Sequence, residues 1–280
     1  MRFGLYPNSG RAESLLACRT VVDILKSKGI AYAIRADVAE QFGGEPVLSA
    51  EEMARACDVV AVFGGDGTML NAVAHFASNN VPLLGINLGK IGFLTELDHE
   101  NIESAFSDAV DRIARGEYRI ERRAMLKATC CGQTYYALNE FLLSGTDNCH
   151  IVNIRVEIDG TFADKIRCDG VMVATPTGST AYSLSCGGPV LSPSVRALIL
   201  NTVCPHSLHS VPMVISDESK VTLIAEHSNV QLTYDGKIAA NYPDRVVVEL
   251  ERNAFDASFV RLEKENFYQR LLQKLSYWGE

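Results

Sequence analysis

Asp58-Val59-Val60-Ala61-Val62-Phe63-Gly64-Gly65-Asp66-Gly67-Thr68-Met69-Leu70 is an apolar run that ends abruptly in Gly-Gly-Asp-Gly-Thr and then resumes with helical spacing. The run has the pattern of a strand buried on both faces of a parallel sheet. Gly64, Gly65 and Gly67 let the backbone turn sharply and approach a ligand, since no Cβ stands in the way. Free amides in such a turn, with the N-terminus of the next helix, seat a phosphate. Asp66 is the odd member. A carboxylate among phosphate-cradling amides repels the phosphate unless it takes a proton or helps hold a metal. That combination points to phosphoryl transfer to a hydroxyl, with Asp66 as the base. The competing structural reading is a strand-to-helix turn whose Asp caps the helix.

Two common phosphate motifs are excluded. No Gly-x4-Gly-Lys-Ser/Thr occurs here, and Gly85-Ile86-Asn87-Leu88-Gly89-Lys90-Ile91 has the wrong spacing, with Ile after the Lys. The Gly-x-Gly-x-x-Gly dinucleotide fingerprint fails because Leu70 stands at the third glycine position counted from Gly65.

Around this turn, strands and helices alternate. Strands are predicted at 2–8, 31–34, 59–63 and 82–87, and helices at 14–28, 50–57, 67–77 and 101–115. Alternation at this pitch means a doubly wound parallel sheet, whose ligands sit beyond the carboxyl ends of the strands. Gly64 to Thr68 falls there. After Gly116 the texture changes to short β-rich runs, at 125–130, 135–143, 151–158, 171–174, 221–225, 230–234 and 245–250. Asp159-Gly160 and Asp235-Gly236 are hairpin-type turn signals. A helix is expected only around 194–201, until helical spacing returns at 266–278. The fold class is therefore an α/β Rossmann-like N-terminal domain plus an all-β, sandwich-like C-terminal domain. The boundaries are 1–120, with 255–280 packing back on it, and 121–254.

Composition bounds the partners. A net charge of −8 argues against nucleic acid, because no basic stripe is available to displace counterions. The N-terminus enters a strand directly, and no window approaches the roughly 18 apolar residues of a membrane span, so a cytoplasmic protein is expected. The eight cysteines include no Cys-x-x-Cys and read as reduced thiols. Cys204-x-His206-x-x-His209, with Pro205 inside it and no second ligand pair, makes a poor metal site.

The second informative stretch is Arg167-Cys168-Asp169-Gly170, running through Val171–Ala174 into Thr175-Pro176-Thr177-Gly178-Ser179-Thr180-Ala181-Tyr182-Ser183-Leu184-Ser185. Its chemistry suits an adenosine phosphate: hydroxyls and amides for phosphates, Tyr182 to stack on a ring, Asp169 to accept hydrogen bonds. Each feature alone reads equally as an ordinary turn or a core aromatic. Their clustering favours a site.

Gly-Gly-Asp-Gly-Thr resembles the motif shared by NAD kinases, diacylglycerol and sphingosine kinases, and phosphofructokinases. The order of Gly64–Thr68, Leu138-Asn139-Glu140, Asp169-Gly170, Thr175–Tyr182, Gly187-Gly188-Pro189 and Pro205-His206-Ser207-Leu208 resembles the NAD kinases specifically, over most of the chain. Leu208-His209-Ser210-Val211-Pro212 departs from the Arg-Pro common in that family. The resemblance implies transfer of the γ-phosphoryl of ATP, or of polyphosphate, to the 2′-hydroxyl of the adenosine ribose of NAD. Mg²⁺ or another divalent cation would sit on the substrate phosphates, with no ligand set from the protein. It also implies a homo-oligomer, dimer or tetramer. By the same resemblance, Asp66 accepts the hydroxyl proton, while Gly64, Gly65, Gly67 and Thr68 hold phosphates. Asn139, Glu140, Arg167, Asp169, Thr177, Thr180, Ala181, Tyr182 and Ser185 bind NAD, with Arg167 a candidate for the 2′-phosphate. His206 is left as structural. Two rivals remain. A lipid kinase leaves the Thr-Pro-Thr-Gly-Ser-Thr-Ala-Tyr block unexplained, and a non-catalytic NADP(H) sensor has no need of Asp66.

Overall fold

Val59–Phe63 is a fully buried strand, paired in parallel with Arg2–Pro7 on one side and Leu83–Asn87 on the other. The structure, a computed structural model, describes residues 1–89, 92–146, 151–206, 210–226, 229–262 and 267–277. Lys90 and Ile91 of the rejected Walker-like stretch, and Ser207, Leu208 and His209 of the motif and cluster around His206, lie outside them. Among the described residues no helix is long and apolar enough to cross a membrane.

Two units make up the chain, Met1–Arg122 with Ala257–Glu280, and Arg123–Asp256. The first runs β1 (Arg2–Pro7), α1 (Ala12–Ser27), β2 (Ala31–Arg35), β3 (Val47–Leu48), α2 (Ala50–Ala56), β4 (Val59–Phe63), α3 (Asp66–Phe76), β5 (Leu83–Asn87), β6 (Leu97–Asp98), α4 (Ile102–Ala114) and β7 (Arg119–Arg123). The second holds β8 (Leu126–Cys130), β9 (Gln133–Ala137), β10 (Glu140–Gly145), β11 (Val152–Ile158), β12 (Thr161–Cys168), β13 (Gly170–Ala174), α5 (Tyr182–Ser185), β14 (Ala197–Val203), β15 (Met213–Ser216), β16 (Val221–Ala225), β17 (Val230–Tyr234), β18 (Lys237–Tyr242) and β19 (Val246–Arg252). The chain then returns to the first unit with β20 (Ala257–Arg261) and α6 (Phe267–Tyr277).

The first unit's sheet has the order β3-β2-β1-β4-β5-β20-β7, with β6 on β5. The strand order reverses between β1 and β4. Loops leaving the two strands there diverge to opposite faces and open a crevice, the position where open α/β sheets bind ligands. Asn8–Gly10 and Gly64–Thr68 are those two loops. Phe3, Leu5, Ala61, Phe63, Leu84 and Ile86 pack against Val21, Leu25, Phe106 and Val110 of α1 and α4, so the strand ends at the crevice rest on a filled core. Fully burying side chains of this size is worth about 1.5–3 kcal/mol each.

In the second unit, two six-stranded antiparallel sheets run β15-β14-β13-β10-β17-β18 and β12-β11-β16-β19-β8-β9. Phe141, Leu143, Val171, Val173 and Leu232 from one meet Leu126, Ile154, Val156, Leu223 and Val248 from the other in a single core. Met172, Ala174 and Ile199 point away from it and are covered by Cys186 and Leu191. The segment after β13 therefore lies on the outer face of its own sheet. Asp159-Gly160 and Asp235-Gly236 both have positive φ at the two central positions, 52° and 75° in the first and 46° and 75° in the second. That is the signature of the I′ turn, whose twist matches the flanking strands.

Two expectations are corrected. The helix predicted at 194–201 is the strand β14, whose residues Ala197–Thr202 are all buried. An apolar run hidden on both faces carries no period, and pairing with β13 and β15 decides its state. The run at 135–143 is two strands, broken at Leu138-Asn139. The break is where the Thr175 turn bonds to the Leu138-Asn139 edge.

Candidate active site

The geometry of the Gly64–Thr68 turn follows from small side chains. Gly65 is the N-cap of α3, so the first amides of the helix open into the β1/β4 crevice. A Cβ on Gly64 would lie 2.2 Å from Thr68 Oγ1, so only glycine lets the turn close on the helix. Thr68 Oγ1 accepts a hydrogen bond from Asn8 Nδ2 at 3.2 Å. Asn8 is fixed in turn, its N–H donating to Ser14 Oγ at 2.8 Å while Ser14 Oγ donates to Phe63 O at 2.9 Å. Asn8 and Ser14 carried no sequence signal. They join the crevice only through the sheet order.

Asp66 stands at the first position of α3, half-buried. Its Oδ2 accepts the Phe93 N–H at 3.1 Å and its Oδ1 accepts the Leu94 N–H at 3.0 Å. The close approach needs Gly92, where a Cβ would lie 2.6 Å from Asp66 Oδ1. Lys274 of α6 donates a third, charge-assisted bond to Asp66 Oδ2 at 3.1 Å. Lys274 is itself placed by the Phe93 ring 4.3 Å beneath its ammonium and by Arg270 one turn earlier, which bonds Thr95 O and sits 3.7 Å from Glu96. A carboxylate offers about four lone-pair sites. Three donors leave about one, and fix where it points.

In the second unit the Asn139-Glu140 edge and the Thr-Pro-Thr-Gly-Ser-Thr turn are built onto each other. Thr175 N–H donates to Asn139 O at 2.8 Å and Thr175 Oγ1 donates to Leu138 O at 2.6 Å. Gly178 packs so closely that a Cβ would lie 2.1 Å from Asn139 O. From the other side, Asp235 accepts the N–H groups of Leu138, Asn139 and Glu140 at 2.9, 2.7 and 3.4 Å. These bonds take up the amides that leave the ladder at the strand break. Three hydroxyls of the turn are engaged by nearby carbonyls. Thr175, Ser179 and Thr180 donate their hydroxyls to Leu138 O, Pro176 O and Thr177 O, and all three are buried. Their donor capacity closes the turn.

The structure brings Glu140, Asp169, Tyr182, Cys186 and Cys204 into one electrostatic neighbourhood. Burial, then the Cys186 and Cys204 thiols, push the Tyr182 phenol up. The Cys204 thiol is raised by its hydrogen bond to Asp169. Burial, reinforced by the Asp235 carboxylate, pushes Glu140 up to about 8. Tyr182 exposes 44% of its surface, so its face is open to stack on a ligand ring. Ser185 is exposed, Ala181 and Asn139 are half-buried, and Thr177 is buried. Arg167 is exposed, and its carbonyl accepts the His206 N–H at 2.8 Å. Sequence reasoning missed Asp235 as a site residue, since Asp-Gly reads only as a turn. Gly178 was quoted within its motif without a role of its own, and Lys274 was missed, since an isolated Lys on an amphipathic helix carries no signal at all.

Among the described residues no three His, Cys, Asp or Glu side chains converge, and the Asp66 oxygens are engaged by amides and Lys274. Residues 13–118 match the family model for the ATP-NAD kinase N-terminal domain, and residues 138–262 that for the ATP-NAD kinase C-terminal domain. The NAD kinase of Desulforamulus reducens is 35% identical, over 98% of this chain and 97% of its own. That of Methanothermobacter thermautotrophicus is 32% identical, over 100% and 98%. Among solved structures, an NAD kinase from Archaeoglobus fulgidus in complex with ATP superposes with a TM-score of 0.77 at 28% identity, covering 99% of each chain. Yeast NADH kinase complexed with NADH shares the fold at a TM-score of 0.90 and 24% identity, over 98% of this chain and 87% of that one. Matched over both domains and nearly its whole length, the chain belongs to the NAD kinase family.

Proposed function

We propose that the chain performs its family's reaction by moving the γ-phosphoryl of ATP, taken as the magnesium complex, onto the 2′-hydroxyl of the adenosine ribose of NAD. The hydroxyl oxygen forms the new bond to phosphorus, the bond to the β-bridging oxygen breaks, and ADP leaves. The hydroxyl proton passes to Asp66. One observation carries this reading: a carboxylate at the N-terminus of α3, held by two amides and Lys274, with one acceptor site left. A fixed acceptor suffices, because phosphoryl transfer runs through a loose transition state in which positioning outweighs base strength. The first amides of α3 seat the phosphates beside Gly64, Gly65, Gly67 and Thr68. In this reading Asn139, Glu140, Asp169, Thr177, Thr180, Ala181, Tyr182 and Ser185 hold NAD, and Arg167 meets the 2′-phosphate.

An NAD analogue lacking only the adenosine 2′-hydroxyl is expected to bind and to accept no phosphoryl group. Labelled phosphate appearing on that analogue would overturn the acceptor assignment. The family resemblance further supports a cytoplasmic homo-oligomer. Specific activity that falls on dilution, in step with the sedimentation coefficient, is the expected result. Constant activity in a monomer would overturn it.

A further inference from the structure

Asp235 and Glu140 are two buried carboxyl groups with opposite surroundings. Asp235 accepts three consecutive backbone N–H groups, so its anion is solvated by the protein. Glu140 is 7% exposed, and its Oε2 is buried with no hydrogen-bond partner among the described residues. An ionised carboxylate left in that state costs far more than a neutral acid does. Side by side, the two cannot both ionise cheaply.

We infer that Asp235 is a positioning residue for the NAD site: as the anion of the pair it holds the amides of residues 138–140, and it keeps Glu140 a neutral acid that presents an O–H donor to the ribose. The inference rests on the proposed NAD-binding role of Glu140 and adds to it the protonation state and the residue that sets it.

The electrostatic surroundings of the two groups agree. Burial raises both groups, but only at Asp235 do the amides of Leu138, Asn139 and Glu140 and the charge of Lys237 oppose the rise. The first proton to leave the pair therefore leaves Asp235, and Glu140 keeps its proton up to about 8. Among the described residues the Cys186 thiol after α5 also faces Glu140, and burial raises it and keeps it neutral over the same range. The turn geometry supplies a clean variant. Asp235 has φ 46°, a left-handed conformation that Asn adopts readily. Asp235→Asn therefore keeps the I′ turn and one acceptor oxygen while removing the charge.

The experiment has two readouts. Infrared difference spectra of the ligand-free protein against Glu140→Gln report the carbonyl stretch of a protonated carboxyl directly. That band is expected in the parent at pH 7, fading as pH rises through about 8. Its absence at pH 7 would overturn the inference whatever the enzyme's activity, so this arm is independent of the kinase reading. Calorimetry of NAD binding without ATP gives the second readout. Affinity in the parent is expected to fall about tenfold between pH 7 and pH 9, as the donor is lost. In Asp235→Asn the fall is expected at least about one pH unit lower, with kcat at saturating NAD less affected than KM. In Glu140→Gln, a permanent donor, the fall is expected to vanish. A fall at the same pH in Asp235→Asn and the parent would reduce Asp235 to a turn residue and overturn its role.

Discussion

Replacing Asp66 by Asn is expected to lower kcat about 10²–10⁴-fold while NAD affinity stays within a few-fold of the parent. The amide keeps the size of the side chain and one acceptor oxygen, so the Leu94 or the Phe93 amide keeps its partner. It cannot take a proton, and its NH₂ group faces either the Leu94 N–H or, at the Oδ2 position, both the Phe93 N–H and the Lys274 ammonium. Some loss of stability follows, on the order of 1–2 kcal/mol for one misdirected donor. Catalysis and stability are therefore measured separately, as kcat and as a denaturation midpoint. A stable Asp66→Asn protein with near-normal kcat would remove Asp66 as the base. The rate effect exceeds the stability effect because the proton must go somewhere as the phosphorus–oxygen bond forms, and the amides and Lys274 leave one open acceptor on Asp66.

Gly178→Ala is expected to be the most damaging single-methyl change in the second unit. The added Cβ would lie 2.1 Å from Asn139 O, 2.5 Å from its carbonyl carbon and 2.8 Å from its Cα. All three are backbone atoms, so no side chain can swing aside. The turn must lift from the Asn139-Glu140 edge, stretching Thr175 N–H···O Asn139 and Thr175 Oγ1–H···O Leu138 together. Overpacking with two strained buried hydrogen bonds amounts to about 2–4 kcal/mol of destabilisation. The NAD dissociation constant should rise about tenfold or more, because the residues proposed to hold NAD flank the displaced turn. Gly65→Ala is the stability control, since nothing lies within 4 Å of its Cβ, and its melting should stay within about 1 kcal/mol of the parent. Equal melting and NAD affinity for Gly178→Ala and the parent would show that the turn is not seated as described.

The two halves of the fold were unequally legible, for a physical reason. Central parallel strands such as β4 and β5 are buried on both faces and read as continuous apolar runs, with helices marking the intervals. The antiparallel half lost its edges. β12, β15 and β18 close their sheets, are largely exposed, and carry Lys, Asp, Ser and Asn where an interior strand would alternate. Edge strands are built to look polar, which protects them from pairing with other chains and hides them from pattern reading. The candidate groups were legible where the sequence has unusual spacing, as in Gly64–Thr68 and Thr175–Tyr182. Their supports were not. Asp235 is distant in sequence from the edge it holds, and Lys274 more distant still from Asp66, so only the fold brings them together.

The most direct measurement is formation of NADP⁺ from NAD⁺, ATP and Mg²⁺, read with an NADP-specific dehydrogenase, with diacylglycerol phosphorylation run beside it. NADP⁺ that appears only when both the protein and ATP are present is the predicted result. Labelled lipid without NADP⁺, or tight NADP(H) binding without turnover of either acceptor, would contradict it.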